Sequence, residues 1–159
     1  VENLLKQNGI EYFSVPVEEG RYDIIAKLSG KTNKDAIVFT GHMDVVPVSD
    51  DEIKRWNTPP FKSTIKDGKL YGRGSADMKS GLISAIYSMI LLKRNNIIPE
   101  RDIIIAATID EENFMKGSKA LYQNKVFDNA KYLIVCEPTD MKIGNRQKGK
   151  HGLMSVYMV

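Results

Sequence analysis

Short apolar runs separated by polar turns recur along the chain, and their spacing predicts strands interleaved with helices. Residues 1–8, followed by Gly9, read as the last turns of a helix with a glycine stop. The runs 22–28 and 36–40 predict strands, the second so nearly all apolar that both of its faces should be covered. Residues 64–71 predict a hairpin, because Asp67-Gly68 tolerates the positive φ angles of a tight turn. From 76 to 94, Leu82, Ile86, Met89, Ile90, Leu91 and Leu92 give a helix with a wide apolar face. A buried strand over 102–109, a short amphipathic helix over 117–124 and an apolar strand over 131–136 follow. A last strand is predicted over 153–159; it runs off the end of the chain with nothing polar to close it, as expected of a sequence cut rather than completed. Strands alternating with helices predict an α/β protein, a three-layer sandwich.

Length and composition narrow the class. At 159 residues the chain is about one domain long. With 42% hydrophobic and 27% charged residues it has the make-up of an ordinary globular protein, which excludes a disordered tail or a collagen-like chain. The longest mostly apolar stretch, 82–92, is shorter than the ~18 residues a membrane span needs, so no membrane partner is expected. The opening residues carry no charged-then-apolar signal pattern. The 23 Lys+Arg and 20 Asp+Glu leave a net charge of +3 with the basic residues scattered, so no nucleic-acid partner is expected either. The single cysteine, Cys136, cannot form an internal disulfide, which suits the cytoplasm.

Four clusters of titratable residues fall where predicted strands end or helices begin: Gly41-His42-Met43-Asp44, Ser75-Ala76-Asp77-Met78, Asp110-Glu111-Glu112 and Cys136-Glu137-Pro138. Open α/β sheets bind ligands outside the carboxyl ends of their strands, so these positions matter jointly. Singly, each has a plain structural reading. A lone His42 is more often a satisfied core histidine, although Asp44, two residues on, shares its face in an extended chain. Asp77 could be a helix N-terminal acid favoured by the macrodipole. Gly72-Arg73-Gly74 before a helix suggests a dinucleotide loop, but Asp77 stands where the third glycine belongs and would repel a pyrophosphate, so nucleotide binding ranks only as a third reading.

Asp110-Glu111-Glu112 could be a solvated helix cap. In an extended chain Glu111 and Glu112 point opposite ways, so if both act they hold different roles. Glu137 closes an apolar strand, where a carboxylate is either pushed to the sheet edge or held by a metal. Its neighbour Cys136 should face the core and is rejected as a ligand, and His151, among Lys148, Lys150 and Gly152, reads as a surface residue. One histidine and three carboxylates, with a fourth carboxylate as base, describe a divalent metal site. Zinc takes such ligands, and two zincs ~3.5–4 Å apart can share one carboxylate.

The ordered set Gly41-His42-Met43-Asp44-Val45-Val46-Pro47, Trp56 with Pro60-Phe61, residues 71–81 from Tyr71 through Gly72-Arg73-Gly74 and Asp77-Met78-Lys79, Asp110-Glu111-Glu112 and Glu137-Pro138-Thr139 resembles one family. It is the acetylornithine deacetylase / succinyl-diaminopimelate desuccinylase family, which includes aminoacylases, zinc carboxypeptidases and dipeptidases. The resemblance covers nearly the whole chain. It implies a zinc-peptidase-like sandwich on a mixed, mostly parallel sheet, and a role for each matched residue. His42 and Glu137 would bind one metal, Asp77 would bridge two, and Glu112 would bind the second. Glu111 would be the general base and Asp44 would orient His42. The peptide bond after the bridging aspartate, here Asp77-Met78, is characteristically cis in this family.

The implied activity is hydrolysis of an amide in N-acyl amino acids or short peptides through a metal-activated water, with zinc as the metal, two per complete site, and cobalt or manganese as substitutes. Family members continue beyond this length, past a step like Lys148-Gly149, into a lid and dimerisation domain. They then finish the catalytic domain, supplying a last histidine ligand and a lid histidine that helps hold the oxyanion. Residues 1–159 are therefore expected to be the amino-terminal part of a catalytic domain, inactive alone, from a protein that dimerises through the lid. The alternative is a catalytically silent metal- or partner-binding module on the same fold.

Overall fold

The nearly all-apolar run 36–40 lies within a strand that is paired on both sides, and the fold is built outward from it. The computed structural model describes residues 1–140 and 142–144, so the strand expected over 153–159 and the surface position expected for His151 lie outside the described residues. In chain order the elements are α1 (Glu2–Gln7), β1 (Glu11–Glu18), β2 (Arg21–Leu28), β3 (Thr32–His42), α2 (Asp50–Ile53), β4 (Thr64–Lys66), β5 (Lys69–Tyr71), α3 (Ser80–Arg94), β6 (Arg101–Thr108), α4 (Lys116–Gln123) and β7 (Ala130–Val135).

The main sheet has the order β1-β2-β6-β3-β7. β3 pairs in parallel with β6 and β7, whereas β2 is antiparallel to both β6 and β1. β2 is thus the one reversed strand of the five, and the sheet is mixed but mostly parallel, as expected. Strand alternation sends Ile24, Ala26, Ile105 and Ala107 to one face, where they pack with Leu82, Ile86, Met89 and Ile90 of α3 and Leu5 of α1. Ile25, Ile104, Ala106 and Val38 line the other face under Ala120 and Leu121 of α4. Each fully buried aliphatic side chain contributes about 1.5–3 kcal/mol, and the two layers of helix follow from both sheet faces being apolar.

Several boundaries differ from expectation. β1 carries no clear alternation, because it lies beyond β2 at the sheet margin, largely exposed, and a marginal strand tolerates polar residues and Pro16. The helix expected from 76 begins at Ser80, since Asp77 (φ −110, ψ 100) and Met78 (φ −131, ψ 31) are non-helical and the bond between them is cis. Its buried stripe is narrower than the pattern suggests, with Leu91 exposed. The hairpin β4–β5 turns as expected through Asp67 (φ 50) and Gly68 (φ 71).

The connections set up the site. From β3 the chain crosses the α3 face to reach β6 on one side; from β6 it crosses the α4 face to reach β7 on the other. The carboxyl end of β3 is therefore a switch point, where the two outgoing connections diverge and leave a crevice. α3 enters that crevice against β7: a Cβ added to Gly81 would lie 2.0 Å from the Cys136 carbonyl oxygen, so only glycine permits the approach.

Candidate metal centre

Three parallel strands deliver residues to one rim. β3 ends on His42, which is in register with Thr108 at the end of β6, and β7 ends just before Cys136 and Glu137. Glu111 and Glu112 follow β6 in a turn that begins at Asp110 (φ 64). Asp77 comes from the turn Ser75–Lys79 and is anchored by its neighbour Met78, which is fully buried and whose Sδ accepts the His42 backbone N–H at 2.9 Å. Lys79 Nζ donates to the Met43 carbonyl at 2.7 Å, tying the same turn to the segment after β3.

The six residues singled out in the sequence meet here. His42 Nε2 lies 3.2 Å from Asp77 Oδ1, 3.7 Å from Glu137 Oε1 and 3.8 Å from Glu111 Oε2. His42, Asp77 and Glu112 each offer a ligand atom, all within 4.8 Å of one another. The His42 side chain is 1% exposed and Asp77 56%, so the cluster opens to solvent on the Asp77 side. Cys136 is half-buried and packs against the α3-side core.

Asp44 joins the cluster in two ways. Its backbone carbonyl is 3.0 Å from His42 Nδ1. A carbonyl can only accept, so Nδ1 carries a proton, and Nε2 is the nitrogen that faces the carboxylates, where a proton or a cation can join them. The Asp44 carboxylate stands 3.7 Å from the ring. Its oxygens instead accept the backbone N–H groups of Glu111 (3.3 Å) and Glu112 (3.1 Å).

Two further carboxylates shape the same turn: Asp110, which the sequence places in the Asp110-Glu111-Glu112 cluster but without a role of its own, and Asp23, which belongs to no motif. Asp110 Oδ2 accepts the N–H groups of Phe114 and Lys116, and Asp23 Oδ1 accepts that of Ile109 at 2.9 Å. The available signal for Asp23 was an acid inside an otherwise apolar strand. Upstream, Arg73 stacks on Trp56 at 5.3 Å and pairs with Glu52, which fixes the loop that leads to Asp77.

Burial and crowding shift the titrations. Burial pushes the Glu137 carboxyl up to about 7, with Asp77 and Glu111 adding to the rise and His42 opposing it. Glu111 is raised as well, by burial first and then by Glu112, Asp44 and Asp77 against the pull of His42. For His42, burial acts downward, but the Asp44 carbonyl and the Glu137, Glu111 and Asp44 carboxylates together raise it. Raised carboxyls and a raised imidazole in one cluster mark a place that holds positive charge, as protons or as a cation. One imidazole nitrogen with carboxylate oxygens is a donor set that fits a divalent metal.

Fold and cluster together define an α/β protein with a carboxylate-rich cluster, of a kind that could hold a metal, at the ends of its parallel strands. Residues 38–149 match peptidase family M20/M25/M40, and the chain belongs to that family. The probable succinyl-diaminopimelate desuccinylase of Staphylococcus epidermidis is 37% identical over 139 residues, covering 87% of this chain and 33% of that relative. Human carnosine dipeptidase 1 superposes with a TM-score of 0.69 at 25% identity, over 84% of this chain and 30% of its own. Aminopeptidase PepT from Bacillus cereus does so with a TM-score of 0.62 at 30% identity, over 84% of this chain and 36% of its own. The chain spans about a third of the length of each. Among the described residues, no helix is long and apolar enough to cross a membrane.

Proposed function

We propose that this chain is the amino-terminal part of the catalytic domain of a metal-dependent hydrolase that cleaves the amide of N-acyl amino acids, of the desuccinylase type, or of short peptides. The observation that carries the reading is the convergence of Asp77, Glu111 and Glu137 carboxylate oxygens within 3.8 Å of His42 Nε2. His42 and Glu137 would hold one metal, Asp77 would be shared, and Glu112 would hold a second. Zinc suits this donor set, and cobalt or manganese could replace it. When bound, the metal supplies Lewis-acid polarisation of the scissile carbonyl and acidifies water.

Glu111 takes a proton from the attacking water as the new C–O bond forms, and passes it to the amine nitrogen as the C–N bond breaks. The products are a carboxylate and an amine. Its raised pKa suits a group that must both accept and return a proton near neutrality. Asp44 holds the His42 ring through its carbonyl and the two glutamates through its carboxylate. The full-length protein would dimerise through a lid domain beyond this chain, in the cytoplasm, where the lone Cys136 needs no partner.

The test is amine release from N-succinyl-diaminopimelate, from other N-acyl amino acids and from dipeptides by the full-length zinc-loaded protein and its Glu111→Gln variant. Release from one of these classes that is lost in the variant, with metal content unchanged, supports the reading. Equal turnover by both proteins contradicts it.

A further inference from the structure

Asp23 sits within β2, is fully buried at 0% exposure, and has no part in the roles proposed above. Its Oδ1 accepts the Ile109 backbone N–H at 2.9 Å, while its Oδ2 has no hydrogen-bond partner. Ile109 is the first residue after β6, and its own carbonyl accepts the Gly117 N–H at 3.2 Å. Gly117 leaves the room this needs: a Cβ there would lie 2.6 Å from both Asp23 Oδ1 and the Ile109 carbonyl oxygen. β2, the end of β6 and the first turn of α4 are therefore joined at one residue, Ile109.

That residue is where the glutamate-bearing turn begins. Directly after it the chain reverses at Asp110 (φ 64), and the next two amides, of Glu111 and Glu112, reach Asp44. The turn is held from the β2 side by Asp23 and from the β3 side by Asp44. We propose that Asp23 is a positioning residue for Glu111 and Glu112: by accepting the Ile109 N–H it fixes where the chain leaves β6, so that both glutamates arrive at the His42–Asp77 cluster. This rests on the roles proposed above for the two glutamates.

The task of Asp23 is to accept one hydrogen bond, which needs an oxygen at the Oδ1 position but no charge. Asparagine keeps that oxygen; alanine and leucine do not. Residues that support metal ligands from outside are typically worth about 10–100-fold in metal affinity.

The experiment compares Asp23→Asn, Asp23→Ala and the volume-filling Asp23→Leu with the unaltered full-length protein. Cobalt affinity is read by calorimetry, and amide hydrogen exchange over 109–112 is read in the metal-free state. Asp23→Asn is expected to match the unaltered protein in both. Asp23→Ala or Asp23→Leu, with unchanged circular dichroism, is expected to bind cobalt about 10–100-fold more weakly and to lose exchange protection over 109–112. Unchanged cobalt affinity in a folded Ala or Leu variant overturns the proposal, as does an Asn variant as damaged as Ala.

The unaltered protein provides a check that no variant's folding can blur: rapid exchange at Ile109 overturns the proposal, and protection there supports it. If the unaltered protein binds no cobalt while Ile109 is protected and the Ala variant loses protection over 109–112, the hydrogen-bond anchor stands and the metal-site reading falls.

Discussion

Asp44 Oδ2 accepts the backbone N–H of Glu112 at 3.1 Å, joining residues 68 apart in the chain, while the same residue's carbonyl lies 3.0 Å from His42 Nδ1. One residue thus ties the imidazole at the end of β3 to the glutamate pair beyond β6. The arrangement explains why a His-x-Asp step is useful here: the aspartate need not reach the ring with its carboxylate, and spends both oxygens on a neighbouring loop.

Removing that carboxylate should loosen the glutamates without touching a ligand. Asp44→Asn keeps one acceptor but sets an amide N–H₂ against a backbone N–H, and Asp44→Ala keeps none. Zinc affinity should fall by about 10–100-fold, more in Ala than in Asn, as measured by competition with a chelating dye. Affinity equal to that of the unaltered protein in both variants would show that the glutamates hold their place unaided.

Metal binding should be steeply pH-dependent. Glu137, pushed by burial up to about 7 from an ordinary 4.5, is protonated in the metal-free site below neutrality. A metal that uses its carboxylate must displace that proton. Affinity is therefore expected to rise from pH 6 to pH 8 and to plateau above. In Glu137→Gln affinity should be lower and this part of the pH dependence absent. A calorimetric titration in two buffers of different ionisation enthalpy counts the protons released at pH 6; none released would remove the proposed role of Glu137.

Asp23 carries a separate and oppositely signed consequence for stability. Burial raises its folded-state pKa from 3.8 to about 6, against the pull of the Ile109 N–H. Below about pH 4 the carboxyl is protonated in both folded and unfolded chains and contributes no difference. Between about 4 and 6 the unfolded chain ionises first, so folding stability falls as pH rises. Above about 6 the loss is constant. At ~1.4 kcal/mol per pH unit, the shift corresponds to about 3 kcal/mol. Asp23→Asn lacks this dependence and replaces one unpartnered polar group with another, so it should be the more stable protein at pH 7.5 and level with the unaltered one at pH 4. Urea unfolding at the two pH values tests this; a gap that does not change with pH contradicts it.

The sheet and its helices were legible because their apolar runs are long and their turns are marked, as at Asp67-Gly68. His42, Asp44, Asp77, Glu111, Glu112 and Glu137 lie where strands were expected to end or a helix to begin, but it was their joint order, through the family resemblance, that set them apart. β1 was not legible, since in a marginal strand with Pro16 and exposed Phe13 only Val15 is buried, too little to impose alternation. Nor was the start of α3, because the non-helical pair Asp77-Met78 interrupts a stretch whose side chains read as helical. Asp23 was missed, and the Asp44 carboxylate was expected on the His42 ring, for a common reason: both act on backbone amides, and a backbone amide has no side-chain identity in a sequence.

Gly81 offers a test of how closely α3 must approach β7 for the site to form. A Cβ at this position would meet the Cys136 carbonyl oxygen at 2.0 Å and its carbonyl carbon at 3.1 Å, and both are backbone atoms that cannot swing aside. Gly81→Ala must therefore shift the start of α3 or the end of β7, at a cost of about 1–3 kcal/mol. The same shift would open the surroundings of the Cys136 thiol, which burial, assisted by Glu137, now pushes up to about 11. The unaltered protein should be alkylated slowly at pH 8, because little thiolate is present. Gly81→Ala should show a lower thermal midpoint, faster alkylation of Cys136 and weaker metal binding together, since Glu137 is the next residue along. A lower midpoint with alkylation and metal affinity unchanged would mean that α3 yields alone and that the end of β7 is held by contacts other than this one.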